Sequence, residues 1–133
     1  MTTGRPELDA LIHDATAALT QAAASGNARE ALPALTEAQE RLTRAIDEAM
    51  AAAVLEEGTS LRQAGQLANL SENAVGPRLA RTSSLMPYAT PEGRVTRSSV
   101  ERARYDAELG RPAPAPAPDQ TVQPLRFRRR RDS

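Results

Sequence analysis

The stretch from Ser60 to Thr82, SLRQAGQLANLSENAVGPRLART, constrains the fold most, because two helix starts and a tight turn are written into it. Ser60 followed by Gln63 has the form of a capping box, in which hydroxyl and amide satisfy backbone donors left unpaired at a helix start. Leu61, Ala64, Leu67 and Ala68 then recur at three- and four-residue spacings, so one face of a short helix is apolar. Gly65 stands where a second helix must cross closely. Asn69 supplies the turn, since Asn accepts a left-handed conformation more readily than most non-glycine residues. Leu70 plugs the core, Ser71 is positioned to cap a second helix from about Glu72, and Val75 and Leu79 face back inward. Gly76-Pro77 inside that second helix predicts a kink or a restart at Pro77, because an interior proline costs roughly 3 kcal/mol.

The spacing of Ala64, Gly65, Leu67, Asn69, Leu70, Ser71 and Val75 resembles bacterial helix-turn-helix regulators, including response-regulator and sigma-factor types. The sequence departs from that pattern at Asn69, where glycine is usual, and at Gly76-Pro77. In that superfamily the second helix enters the major groove and its N-terminal residues touch base edges. The resemblance therefore implies that Ser71, Glu72 and Asn73 read bases, with Asn pairing to adenine and Glu accepting from cytosine. Arg62, Arg78, Arg81, Arg94 and Arg97 are the expected phosphate contacts, which position the protein without specifying sequence. Two short helices with a tight turn also occur in bundles that never meet DNA, and that reading stays open.

Composition narrows the alternatives. The chain of 133 residues has no Cys, no Trp, one His and one Phe, which rules out thiol catalysis, disulfides and Cys/His zinc sites. All 17 basic residues are Arg, and formal net charge is zero. The zero conceals a gradient. Residues 1–57 hold 4 Arg against 10 acids (−6), residues 58–110 hold 7 against 5 (+2), and residues 111–133 hold 6 against 2 (+4). An acidic first part joined to a basic remainder suggests partner-facing helices first and polyanion-facing surface second. Met1 to Asp9 lacks a basic flank followed by an apolar run, and the longest apolar run, Ala49 to Leu55, is far short of a membrane span. A cytoplasmic protein without a membrane partner is expected.

Taken in order, the chain predicts an all-α protein in three parts: a helical hairpin over 1–57, a winged helix-turn-helix over 58–110, and a disordered proline- and arginine-rich tail over 111–133. Leu8, Leu11, Ile12, Ala15, Leu19 and Ala22 trace one side of an amphipathic helix from Pro6 to about Ala24, broken by Ser25-Gly26-Asn27. Asn27 with Glu30 is one possible start of the next helix, and Pro33 makes a start near Leu32 an equal alternative. Leu35, Ala38, Leu42, Ala45, Ala49 and Ala52 carry it to Glu57. A lone hairpin cannot bury so wide a stripe, so either the following helices or a second subunit must cover it, and a homodimer through the hairpin is expected. Lone His13 reads as a surface residue.

Thr90-Pro91-Glu92-Gly93 is a turn signature, and with Arg94-Val95-Thr96 it predicts a small β wing. The run from Gly93 to Val100 is similar to the wing-to-helix junction of excisionase and MerR-like winged readers. Ser98 with Glu101 predicts a cap for a final helix to Leu109, closed by Gly110. The spacer Arg111 to Pro118 is proline-rich, and Arg128, Arg129, Arg130 and Arg131 beyond it form a basic arm suited to phosphates. No gly-rich phosphate loop appears, and Tyr88 or Tyr105 as a nucleophile would lack a supporting histidine, so neither catalysis nor a cofactor is expected. The expected partner is double-stranded DNA. The other class still open is a protein-protein adaptor or antitoxin-like module acting through the acidic hairpin.

Overall fold

The computed structural model describes residues 5–114, in which all regular structure is helical. Helix α1 spans Arg5–Ala23, α2 Ala28–Glu56, α3 Leu61–Leu67, α4 Glu72–Leu79 and α5 Arg97–Glu108, with a 3-10 turn over Met86–Tyr88. The tail beyond residue 114, including Arg128, Arg129, Arg130 and Arg131, lies outside the described residues.

Helices α1 and α2 form the antiparallel hairpin. The Asn27 side chain accepts from the Glu30 amide at 2.8 Å, and the Glu30 carboxylate accepts from the Gly26 amide at 3.2 Å, so α2 starts at Ala28. Pro33 therefore lies inside the helix rather than at its head. The proline is tolerated because only the carbonyl of the exposed Arg29 loses a donor, and water can replace it.

The hairpin seam is built from small residues: Ala15, Ala18 and Ala22 face Ala34, Ala38 and Ala45, with Leu8 closing one end. Alanine brings the two backbones close enough that larger neighbours are squeezed outward. Ile12, Leu19, Leu35 and Leu42, expected in the seam, remain 45–49% exposed.

The second half of α2 has a different neighbour. Met50, Ala51 and Val54 join Ala64, Val75, Leu79, Leu85, Tyr88, Val95, Val100 and Ala103 in one core. The helices after the hairpin thus cover half of α2 and leave the outer half uncovered. Gly58, at φ 75°, turns the chain out of α2, while Arg104 of α5 donates from Nε to the Val54 carbonyl at 2.9 Å. That carbonyl belongs to the last turn of α2, where intrahelical donors run out.

Helix α3 begins with the capping box, Ser60 Oγ accepting from Gln63 N at 3.0 Å and Gln63 Oε1 from Ser60 N at 3.2 Å. Asn69 is left-handed at φ 61°, and Leu70 N donates to Gly65 O at 2.8 Å across the turn. Helix α4 continues through Pro77 as one helix, without a restart there. The residue before a proline resists helical geometry because its Cβ meets the proline ring, and Gly76 has no Cβ.

Two expectations after α4 are corrected. Among the described residues there is no strand, so the wing is absent as a β structure. Thr90 N donates to Arg94 O and Gly93 N to Thr90 O, both at 2.8 Å, which closes a tight turn. The next amide, Val95 N, then donates to Gly76 O of α4 at 3.0 Å and leaves no ladder to extend. The cap of α5 is Thr96 with Ser99, reciprocally bonded, rather than Ser98 with Glu101. Glu101 instead pairs with Arg97 one turn earlier at 3.3 Å.

A methyl group on Gly65 would stand 2.7 Å from Cγ2 of Val75. Gly65→Ala should therefore lower stability by about 1–3 kcal/mol through overpacking, read as a lower melting temperature. Combining it with Val75→Ala should cost less than the sum of the two single changes.

Candidate nucleic-acid interface

The first turn of α4 carries Ser71, Glu72 and Asn73, all exposed. Ser71 has the extended backbone of an N-cap, φ −69° and ψ 156°, yet its hydroxyl makes no capping bond. Hydroxyl, carboxylate and amide thus stand together on one accessible helix end. The exposed Arg62 of α3 and Glu72 of α4 line one groove with Arg97, Glu101 and Arg104 of α5. Arg97 is 90% exposed at its side chain and shares its charge with Glu101, a pair of little energetic weight.

Arg94 reaches the middle of α4 from the 90–95 turn. A Cβ on Gly76 would lie 3.4 Å from its Nη2, 3.5 Å from its Nε and 3.1 Å from Val95 O. Gly76 therefore lets the turn and the arginine lie flat on α4.

Arg78 and Arg81 are placed elsewhere. Arg78 Nε donates to Asp47 Oδ1 at 2.7 Å, with Asp47 95% removed from solvent and the arginine about three-quarters so. Arg81 is exposed, but it lines the cleft between the hairpin and the chain after α4, together with Asp47, Glu48 and Arg44. Burial lifts the Asp47 carboxyl above its ordinary range, against the opposing pull of Arg78 and, further off, Arg81. Burial also lifts Glu48, which accepts from Ser83 N at 3.2 Å. Of the five arginines in the described residues expected on phosphates, Arg62, Arg94 and Arg97 gather around α4 and α5, while Arg78 and Arg81 face the acidic hairpin.

Sequence reasoning missed four polar residues that position these elements. Asp47 stood in plain view as an acid three residues before Met50 and seven before Val54, on the apolar face of α2. Asp106 accepts from the Tyr88 hydroxyl at 2.8 Å, and Arg102 lies 5.7 Å from the Tyr88 ring centroid. Burial raises the Tyr88 hydroxyl, and Asp106 raises it further, so the tyrosine stays protonated as a structural donor. Arg104 gave no local signal, because its partner carbonyl is 50 residues away in sequence.

Among the described residues no group of three or more His, Cys, Asp and Glu is placed to hold a metal ion, and no helix is long and apolar enough to cross a membrane. Comparison of the chain with protein-family models, curated proteins and solved structures finds no match.

Arg78→Ala would leave Asp47 charged and buried, so it should destabilise by about 2–4 kcal/mol, below the upper range for buried pairs because Arg78 keeps some solvent contact. Asp47→Asn should cost less, since the guanidinium can turn to water. Thermal unfolding of both variants checks the order. A raised carboxyl binds its proton more tightly in the folded chain, so its contribution to stability falls as pH rises from the ordinary 3.8 through the raised folded value. The parent should gain more stability than Asp47→Asn on acidification across that window.

Proposed function

We propose that the protein is a sequence-specific double-stranded DNA-binding protein, a small bacterial cytoplasmic transcriptional regulator in which α3 and α4 act as a helix-turn-helix. The observation that carries this reading is the exposed first turn of α4, where Ser71, Glu72 and Asn73 are the only consecutive polar side chains on a helix that otherwise faces the core or carries Gly76-Pro77. An eight-residue helix is about 12 Å long, close to the width of the major groove. Asn73 is the candidate for adenine and Glu72 for cytosine. Arg62, Arg94 and Arg97 flank that edge at the distance of neighbouring elements, as phosphate contacts must. Arg78 serves the fold in this reading, and Arg128, Arg129, Arg130 and Arg131 add a sequence-independent attraction. A homodimer through the hairpin would present two readers to two half-sites.

A second reading, a protein-protein adaptor or antitoxin-like module, draws support from the uncovered apolar side of the hairpin. Salt-dependent binding to random duplex DNA distinguishes the two, because counterion release is obligatory for the first and absent from the second.

Selecting bound sequences from a random duplex pool tests the proposal. Asn73→Ala should relax preference at one base pair, costing about 1–3 kcal/mol on the selected site. Arg62→Ala should weaken all sequences alike and lower the slope of log affinity against log salt by about one. A selected logo unchanged by Asn73→Ala would refute the assigned reading edge.

A further inference from the structure

Helix α2 carries two seams. One is the alanine seam against α1. The other runs through residues 32, 35, 39, 42, 46, 49 and 53, alternating three- and four-residue steps in the 3.5-residue repeat that keeps one face toward a partner helix. Its large members are Leu32, Leu35 and Leu42, respectively 61, 46 and 49% exposed, with Ile46 half-buried.

At 100° per residue, Ile12 and Leu19 of α1 fall on the same side of the hairpin as this second seam. The Asp14–Arg41 and Glu37–Arg41 pairs occupy the opposite side. No charged residue stands at any seam position, although residues 1–57 carry a net −6. A second copy can therefore approach this side without the like-charge repulsion that every other side of the hairpin imposes.

The size also fits. From Leu32 to Ala53 the seam is about 30 Å long, and two helices side by side are about 20 Å wide. That gives a projected face of about 600 Å², whose corrugated accessible area approaches the roughly 800 Å² per partner of a stable complex.

We infer that a second copy of the chain packs its hairpin on this face, forming a four-helix bundle with the two α2 helices antiparallel and Gln39 on the two-fold axis. The inference rests on the pairing through the hairpin proposed above and not on DNA binding. Gln39 is the single polar residue of the seam and stands at its edge, where it also lines the cleft with Thr43, Arg44 and Arg81, and covering it with a second copy requires a partner for its amide. An amide holds both donor and acceptor, so Gln39 can pair with its own copy, which a symmetric interface allows only on the axis.

With Gln39 there, Leu35 meets the second copy's Leu42 and Leu32 meets its Ile46. Past Ile46 the seam shrinks to Ala49 and Ala53. Together with Ile46, Leu67 and Ala68 they line an apolar groove, in which Leu67 is 81% exposed. In this register the groove lies opposite the second copy's hairpin tip, Ser25-Gly26-Asn27, so small side chains stand where a loop arrives.

The parent chain has no cysteine, which makes introduced thiols unambiguous reporters. Sedimentation of the full chain should give twice the chain's mass, and Leu42→Glu should return it to a monomer or raise the dissociation constant at least 100-fold while helical circular dichroism persists. Gln39→Cys with a short bismaleimide should link most chains in pairs, whereas Thr36→Cys, about a quarter-turn of α2 round from the seam centre and beyond its edge, should link markedly fewer. A monomeric parent overturns the pairing altogether. A dimer that links through Thr36 in preference to Gln39 overturns this face and register while leaving pairing through the hairpin standing. Neither outcome depends on whether the chain binds DNA.

Discussion

The ion pair between Asp47 and Arg78 is the constraint on which the arrangement depends, because it joins the hairpin to α4 through a carboxylate almost wholly removed from solvent. Desolvation and attraction nearly offset each other in such a pair, so its weight lies in geometry more than in net stability. A guanidinium bonded at 2.7 Å fixes the rotation of α4 about its axis, and therefore which three residues of its first turn point outward. Arg104 acts in parallel by holding α5 to the last turn of α2. Two arginines from successive helices thus fasten the basic part of the chain to one acidic helix.

Small residues set the distances that these bonds then hold. Gly65 allows α4 to cross α3 at Val75, Gly76 allows the 90–95 turn to press on α4, and the alanines of α1 and α2 draw the hairpin tight. Each is a place where a side chain was traded for backbone approach, and dispersion rewards the closer packing. The same economy leaves leucines outside, which is why the hairpin carries an apolar side at all.

Local signals in the sequence were legible where one turn of helix contained both partners. The capping box of Ser60 and Gln63, the left-handed Asn69 and the inward Val75 and Leu79 all follow from spacings of eight residues or fewer. The hairpin and its approximate ends were legible for the same reason. Signals that depend on distant packing were harder to read. Ser98 with Glu101 was read as the cap of α5, and only the path of the chain from Gly76 to Val95 puts Thr96 with Ser99 there instead. Pro33 was read as an alternative helix start and Pro77 as a kink or restart, yet each lies inside a helix: the carbonyl orphaned by Pro33 meets water, and glycine precedes Pro77. The wing was read from a true turn, but strands need ladder partners, and the amide that would begin the ladder is bonded to α4. The placement of the candidate site divides likewise. Exposure of Ser71, Glu72 and Asn73 follows from their position at a helix start, whereas the engagement of Arg78 by Asp47 spans 31 residues and has no local trace.

Helix α2 ends at Glu56, but the core of the following helices begins at Met50. The basic half of the molecule consequently has no seam at which it could be lifted out and transplanted. A graft onto another scaffold must bring along the last three turns of α2, starting no later than Asp47, or it arrives without the floor on which Val75, Leu79 and Leu85 rest. The helix that separates the acidic and basic parts along the chain is, in space, common to the packing of both.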